Sequence, residues 1–148
     1  MTTTGKQLFT TLAPDGTLTV EIGTTEFPAP TGNQVLVRME AAPINPSDLA
    51  LLFGVADLEN ADYSPGKVVA KMPEPFASAA KGRHGQRLPV GNEGAGTVVA
   101  AGEGEAAQAL MGRRVACVPG GAYAEYAIAD AAMCLPLGEH SAEEGASS

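Results

Sequence analysis

The sequence predicts a mainly β domain with short helices. Its 148 residues include 18 glycines and 11 prolines, which favour frequent turns and disfavour long helices. Several segments alternate apolar and polar residues, which is the pattern of a half-buried strand. Apolar residues make up 45% of the chain and charged residues 18%, so we expect it to bury a core rather than stay disordered. Together these observations indicate one β-rich domain of the barrel or sandwich type.

The first three strands have the clearest patterns. Residues 7–13 and 17–26 flank the sequence Pro-Asp-Gly at 14–16, which is a hairpin signal. After a break rich in proline and glycine, residues 35–42 alternate, with two valines and a methionine on one face. We therefore predict a hairpin followed by a third strand.

A short helix is predicted after the third strand, and its start signal is strong. Asn45 is a good N-cap residue, Pro46 suits the first helical position, and Asp48 places a carboxylate in the first turn. A negative charge there interacts favourably with the helix dipole. The helix is expected to stop at Gly54.

The segment 55–88 shows no sustained periodicity and contains scattered prolines and glycines. We predict a long loop insertion here, with one helical turn near residues 76–82; loops of this length are uncommon unless they are functional or mobile. Within it, the stretch 64–88 holds five of the nine basic residues and a single acidic residue, Glu74. This basic stretch is either a solvated loop or a surface for an anionic part of a substrate.

Three further strands are predicted in the last third of the sequence, over residues 97–102, 113–118 and 123–129. Beyond them, Ser141 and Glu144 have the spacing of a capping box, which predicts the start of another helix. We expect residues 1–140 to form the domain. The helix that starts within residues 141–148 is expected to lead into a further domain.

Charge and cysteine content exclude several classes of function. A formal charge of −8 repels nucleic acids and anionic membranes. Cys117 and Cys134 lie in apolar runs without metal-ligand or CxxC spacing, so we expect buried free thiols in a reducing cytoplasm. The N-terminus has no apolar signal core, and no segment approaches the roughly 18 apolar residues that cross a membrane. We expect a cytoplasmic protein with neither a nucleic-acid nor a membrane partner.

The glycine-rich stretch 91–102, GNEGAGTVVAAG, raises the question of a phosphate-binding loop. A dinucleotide fingerprint needs G-x-G-x-x-G before a helix, whereas this stretch has G-x-x-G-x-G before a strand. Two nearby glutamates, Glu103 and Glu105, would also repel a phosphate. Gly91, Gly94 and Gly96 are therefore predicted to serve a tight backbone turn beside a cleft.

Three blocks of sequence, taken in order, resemble one family: VLVRMEAAPINPSDLALLFG, LPVGNEGAGTVVAAG and GRRVACVPGGAYAEYAIAD. They are similar to the N-terminal, GroES-like catalytic domain of the medium-chain dehydrogenase/reductase superfamily. The resemblance implies a partly open β-barrel, here without the Rossmann domain that binds the cofactor in such enzymes. Most of the chain is covered apart from residues 55–87.

In zinc-dependent members of this superfamily, a cysteine stands at the position of Asn45 and a histidine at that of Asn92, just before Glu93. A neutral carboxamide is a poor zinc ligand, so we expect no zinc site. His84 and His140 are read as solvated side chains, and the two cysteines are too few for a four-cysteine structural zinc lobe. A zinc alcohol dehydrogenase is thus the least favoured alternative.

The resemblance is strongest to the zinc-free branch, which includes quinone oxidoreductases and enoyl-thioester reductases. It implies hydride transfer from NADPH to a quinone or an activated C=C bond of an enone or enoyl thioester. By the same resemblance, Asn45 and Pro46 lie beside the nicotinamide; from the sequence alone, Asn45 could equally be a simple N-cap. The proton-donating tyrosine of many enoyl reductases is missing from residues 53–56, which leaves Tyr63 as the candidate donor.

Asn92, Glu93 and Tyr123 are the candidate residues of the substrate cleft. The isolated 148-residue chain is expected to be inactive, and the resemblance allows a homodimer formed through the cofactor domain. The alternative is a stand-alone GroES-like barrel that acts as a non-enzymatic binding module, since fold alone does not separate the two functions.

Overall fold

The computed structural model describes residues 2–146. Within that range the chain forms strands joined by short helices, which confirms the predicted mainly β class. The strands are β1 Thr3–Leu12, β2 Thr17–Phe27, β3 Gln34–Ala41, β4 Asp57–Ser64, β5 Lys67–Lys71, β6 Leu88–Pro89, β7 Gly94–Ala101, β8 Arg114–Cys117, β9 Tyr126–Asp130 and β10 Cys134–Pro136. The α-helices are α1 Pro46–Leu52, α2 Glu74–Ala79, α3 Glu105–Ala109 and α4 Ala142–Gly145.

The strands of the described residues form two open five-stranded sheets. The first has the order β4-β5-β2-β1-β6 and the second the order β10-β8-β7-β3-β9. The predicted hairpin is present as β1 and β2, and the side chain of Asp15 in its turn accepts a hydrogen bond from the Thr17 amide at 2.9 Å. The predicted partly open barrel thus takes the form of two open sheets rather than a closed barrel.

The chain divides into two compact units. The first unit comprises the residues up to Gln7, Thr24–Pro43, and the chain from Gly91 onward, and it contains the whole second sheet. Its core is built by apolar positions of β3, β7 and β8, and four valines there are fully buried: Val35, Val37, Val98 and Val115.

Helix α4 covers the other face of the second sheet. Ala142 of this helix and Ala146, the residue directly after it, pack on Ala95 of β7. The predicted capping box is present, because the Ser141 hydroxyl accepts a hydrogen bond from the Glu144 amide at 3.2 Å and the Glu144 carboxylate accepts one from the Ser141 amide at 3.1 Å. Residues 147 and 148 of the predicted helix lie outside the described residues.

The second unit comprises Leu8–Gly23 and Ile44–Val90. Here the predicted long loop over residues 55–88 is wrong, because it contains the hairpin β4–β5, helix α2 and strand β6. The predicted helical turn near residues 76–82 is confirmed by α2 and the 3₁₀ turn Lys81–Arg83 that follows it. β5 pairs with β2 on one side and with β4 on the other.

Two arginines of the basic stretch 64–88 are used by the fold itself. The Arg83 guanidinium donates to the Leu51 carbonyl at 3.2 Å and to the Thr10 hydroxyl at 3.2 Å, and so ties the end of α1 to β1. Partial burial lowers the pKa of Arg83. Arg87 lies 3.7 Å from the centre of the Phe9 ring and 3.6 Å from the Glu21 carboxylate.

Candidate functional site

The start of α1 has the geometry that the sequence predicts. Asn45 occupies the N-cap position with an extended backbone, and Pro46 is the first helical residue. The Asp48 carboxylate accepts a hydrogen bond from the Asn45 amide at 3.1 Å, which is one arm of a capping box. Asp48 is 2% exposed, whereas Asn45 is half-buried, so the N-cap residue is fixed and still reaches solvent.

An open apolar groove of about 550 Å³ runs along α1 in the second unit. A volume of this size is in the range of small-molecule sites. Several of its apolar side chains are unusually open to solvent: Leu49 is 46% and Val55 49% exposed. The lining residues are Pro46, Leu49, Ala50, Phe53, Gly54, Val55 and Leu58.

Tyr63 lies on β4, where its side chain is 65% exposed. Its hydroxyl donates to the carbonyl oxygen of Leu58 at 2.7 Å, and Leu58 in turn lines the groove along α1. The phenol proton is therefore engaged with the backbone of its own strand. The structure holds Tyr63 at the side of this groove and not among its lining residues.

In the first unit, the glycines of the stretch 91–102 allow close backbone approach, as the sequence predicts. Gly91 has a φ of +104°, and an added Cβ would lie 2.7 Å from the Tyr123 amide nitrogen. The Gly91 carbonyl accepts a hydrogen bond from the Ala122 amide at 3.0 Å. Only glycine fits this left-handed and crowded position.

Gly94 and Gly96 belong to the central strand β7 rather than to a loop. A Cβ at Gly94 would lie 2.8 Å from the Ala41 carbonyl oxygen, and one at Gly96 would overlap the Arg38 carbonyl oxygen of β3. The β3–β7 register shifts between Met39 and Ala41, next to Gly96. These glycines therefore let β3 and β7 approach at an irregular point of their ladder.

Tyr123 packs against this turn and fixes a second segment. Its hydroxyl donates to the Pro43 carbonyl oxygen at 2.7 Å, which joins two segments that are 80 residues apart in sequence. Pro43 precedes Asn45 by two residues. Through this hydrogen bond, Tyr123 holds the backbone of the segment that connects β3 to α1.

Tyr123→Phe is expected to destabilise the domain by about 1–2 kcal/mol, because the Pro43 carbonyl loses its partly buried donor. Urea unfolding measures the change. Tyr63→Phe is the matched control: it also removes one hydroxyl that bonds to a carbonyl, but at an exposed position, so we expect a change within about 0.5 kcal/mol. Equal unfolding midpoints for the two variants would contradict a structural role for the Tyr123–Pro43 bond.

Glu93 and Asn92 follow Gly91 in the same turn. Glu93 lines a small cavity of about 80 Å³ together with residues of β7, β8, β10 and α4, whereas the Asn92 side chain is exposed. A cavity of this volume holds water but is much smaller than a site for a small-molecule ligand. Any substrate contact of Glu93 would therefore lie outside this cavity.

The two histidines make separate local contacts. A ring nitrogen of His84 lies 2.8 Å from the Ala77 carbonyl oxygen, and a ring nitrogen of His140 lies 3.3 Å from the Glu144 carboxylate. Across residues 2–146, no three or more histidine, cysteine, aspartate or glutamate side chains are grouped so that they could hold a metal ion. In the same range, no helix is long and apolar enough to cross a membrane.

Two features of the site are not predicted by the sequence. The Asp48 side chain reaches back to cap Asn45, and Leu58 of β4 completes the apolar groove. The spacing of Pro46, Leu49 and Phe53 along one helix face could have revealed most of the groove, since residues three and four apart share a face. The contribution of Leu58 had no such signal, because β4 was not predicted.

Comparison with known proteins gives one family. Residues 31–139 match the alcohol dehydrogenase GroES-like domain. No curated protein is similar enough to the chain to count as a match.

Solved structures support the same fold. A protein from Mesorhizobium loti assigned as an NADPH:quinone reductase is 32% identical, with a TM-score of 0.63, and the match covers 97% of this chain and 39% of that one. A quinone oxidoreductase from Pseudomonas syringae is 26% identical, with a TM-score of 0.59 and coverage of 96% and 36%. An NADPH:quinone reductase assigned in Bacillus thuringiensis is 23% identical, with a TM-score of 0.66 and coverage of 98% and 37%. The chain thus spans less than two-fifths of each of these proteins.

Proposed function

This chain belongs to the alcohol dehydrogenase GroES-like domain family, and on that basis we propose that it is the substrate-binding half of an NADPH-dependent oxidoreductase. The reaction is the reduction of a quinone or an activated C=C bond by hydride transfer, without zinc. The observation that carries this proposal is the similarity of nearly the whole chain to a protein assigned as an NADPH:quinone reductase.

The residues at the start of α1 suit the nicotinamide end of such a cofactor. Asn45 is held by the hydrogen bond between its amide and the Asp48 carboxylate, and it still reaches solvent. Pro46 is the first of the residues that line the apolar groove along α1. A flat, weakly polar ring and the apolar part of a quinone or enone are the groups that such a surface accepts. NADPH, when bound, supplies the hydride. Its pyrophosphate has no cradle in residues 91–102, where the glycines lead into β7 instead of a helix.

The chemistry of the side chains favours a reaction without zinc. The two positions that carry a thiolate and an imidazole in zinc-dependent relatives are Asn45 and Asn92 here. Neutral carboxamides are poor zinc ligands. The carboxamide of Asn45 can instead position the reacting groups by hydrogen bonding. A proton must also be delivered to complete the reduction, and Tyr63 is the candidate donor. To act as the donor, its hydroxyl must leave the Leu58 carbonyl and donate its hydrogen bond to the substrate.

The test is an assay of the native polypeptide that contains this chain, with NADPH and 1,4-benzoquinone, an enone or a crotonyl thioester as substrates. We expect NADPH oxidation that depends on one of these substrates and survives treatment with EDTA. Residues 1–148 alone are expected to show none. Activity that EDTA abolishes and zinc restores would contradict zinc independence.

A second outcome would favour a binding module instead. The intact mass of the native polypeptide would then be close to the 15.0 kDa of this chain, and no substrate would cause NADPH oxidation. In that case, the function that we propose for the chain is binding of an apolar ligand in the groove along α1, without turnover.

A further inference from the structure

The two cysteines of the chain lie directly opposite each other on neighbouring strands. β8 and β10 pair antiparallel, and Cys117 is the register partner of Cys134. Both thiols are free in the structure. No pattern in the sequence links them, because 16 residues separate them and β10 has no strand signal.

The type of pair follows from the hydrogen bond that the Leu137 amide donates to the Arg114 carbonyl at 3.0 Å. Hydrogen-bonded and non-hydrogen-bonded pairs alternate along an antiparallel ladder. Counting from that bonded pair, Val115 and Pro136 form a non-hydrogen-bonded pair, which agrees with the missing amide hydrogen of proline. Two positions further along, Cys117 and Cys134 form a pair of the same type.

This pair type brings side chains close together. In a non-hydrogen-bonded pair the Cα atoms are about 4.5 Å apart and both side chains lie on one face of the sheet. That separation falls within the range of Cα distances that a disulfide spans. The packing agrees, because Cys117 belongs to the core of the first unit and Cys134 packs against that core.

We propose that Cys117 and Cys134 are a modification site, a dithiol pair that forms a reversible cross-strand disulfide with a low-molecular-weight disulfide as oxidant. Cys134 reacts first, because it is half-buried on the edge strand β10 while Cys117 is 2% exposed. Its thiolate attacks the oxidant and releases one thiol, which leaves a mixed disulfide on Cys134. The Cys117 thiolate then attacks the Cys134 sulfur and releases the second thiol. The pair has lost two protons and two electrons, and the oxidant has become two thiols.

The same burial slows oxidation of the pair near neutral pH. Burial raises the pKa of Cys117 to about 12 and that of Cys134 to about 11, and the nearby carboxylate of Asp130 adds to the effect at Cys134. Only thiolates attack disulfides, so exchange is slow near neutral pH. Oxidation ties the edge strand β10 to β8 and closes the loop that carries Tyr123 and β9.

The test is to incubate the folded native polypeptide with glutathione disulfide at mildly alkaline pH, then to denature it in the presence of iodoacetamide so that all remaining thiols are blocked, and to digest it without reduction. A protease that cleaves after Glu125 separates the two cysteines into different peptides. We expect these peptides to be joined by a disulfide that dithiothreitol removes. In Cys117→Ala, glutathione is expected to remain on Cys134, because the resolving thiol is gone.

Three results would overturn the proposal, and all are read from the unmutated protein. One is alkylation of both cysteines even when the incubation is extended far beyond the time that oxidises the denatured protein, because burial slows exchange in the folded protein but does not prevent it. Another is a lasting glutathione adduct on Cys134 beside a free Cys117. The third is a disulfide between two polypeptides in place of one within the chain.

Discussion

Gly96→Ala is expected to destabilise the domain by about 3 kcal/mol, at the upper end of the cost of overpacking. The new Cβ would overlap the Arg38 carbonyl oxygen and would lie 2.9 Å from Cγ1 of the buried Val37. Relief requires β3 and β7 to move apart, which would disrupt the centre of the second sheet. Urea unfolding followed by circular dichroism measures the change in free energy of unfolding.

Two glycines provide controls for this substitution. Gly82→Ala adds a Cβ in open space at an ordinary φ and is expected to be neutral or slightly stabilising. Gly112→Ala also meets open space but at a φ of +77°, so it isolates the cost of the backbone conformation, about 1 kcal/mol. If Gly96→Ala unfolds at the same urea concentration as Gly82→Ala, the close approach of β3 and β7 does not limit stability.

Asn45→Ser is expected to lower kcat/KM of NADPH-dependent reduction at least about tenfold, or roughly 1.4 kcal/mol of transition-state stabilisation. This prediction rests on the proposed function. Serine is as good an N-cap as asparagine, so the free energy of unfolding should stay within about 0.5 kcal/mol of the wild type. The carboxamide beside the reacting groups is lost, while the helix start is kept. Steady-state kinetics of the native polypeptide, together with its thermal unfolding, separates the two effects.

Asn45→Ala completes the comparison. It removes the carboxamide and the cap together, so we expect the same kinetic loss with an additional destabilisation of about 1 kcal/mol. Wild-type kcat/KM in Asn45→Ser would mean that Asn45 is a helix cap and nothing more. That result would leave the assignment of the oxidoreductase itself to the substrate assay.

The elements that could be predicted are those that bury one face. In β3, Val35 and Val37 enter the core and set the alternation, although Leu36 between them is buried as well. The start of α1 is marked by Asn45 and Pro46. β4 could not be predicted, since all but one of its eight residues are exposed and its strand is defined by main-chain pairing with β5. A strand held only by main-chain hydrogen bonds needs no alternation of apolar and polar side chains, and that alternation is the signal from which strands are predicted.

The candidate site could be predicted only where local sequence determines it. The N-cap and the left-handed backbone at Gly91 follow from local rules, and the structure agrees with both. Gly94 and Gly96, predicted in the same turn, lie instead in the strand β7 and are crowded by β3. The Tyr123–Pro43 bond joins distant segments, and the pairing of Cys117 with Cys134 depends on the register of two strands. No spacing in the sequence encodes either contact.

The exposed strand β4 has a further consequence for how copies of the protein behave at high concentration. As the outer strand of the first sheet it offers unpaired main-chain groups to any other strand, which is the usual route to aggregation. Three of its eight side chains are carboxylates, those of Asp57, Glu59 and Asp62. Hydrogen bonds from Asn60 lower the pKa of Asp57, so this carboxylate keeps its charge in more acidic solution than an ordinary aspartate does. We expect two such edges to repel each other, which disfavours edge-to-edge pairing between copies along the longest free edge of this sheet.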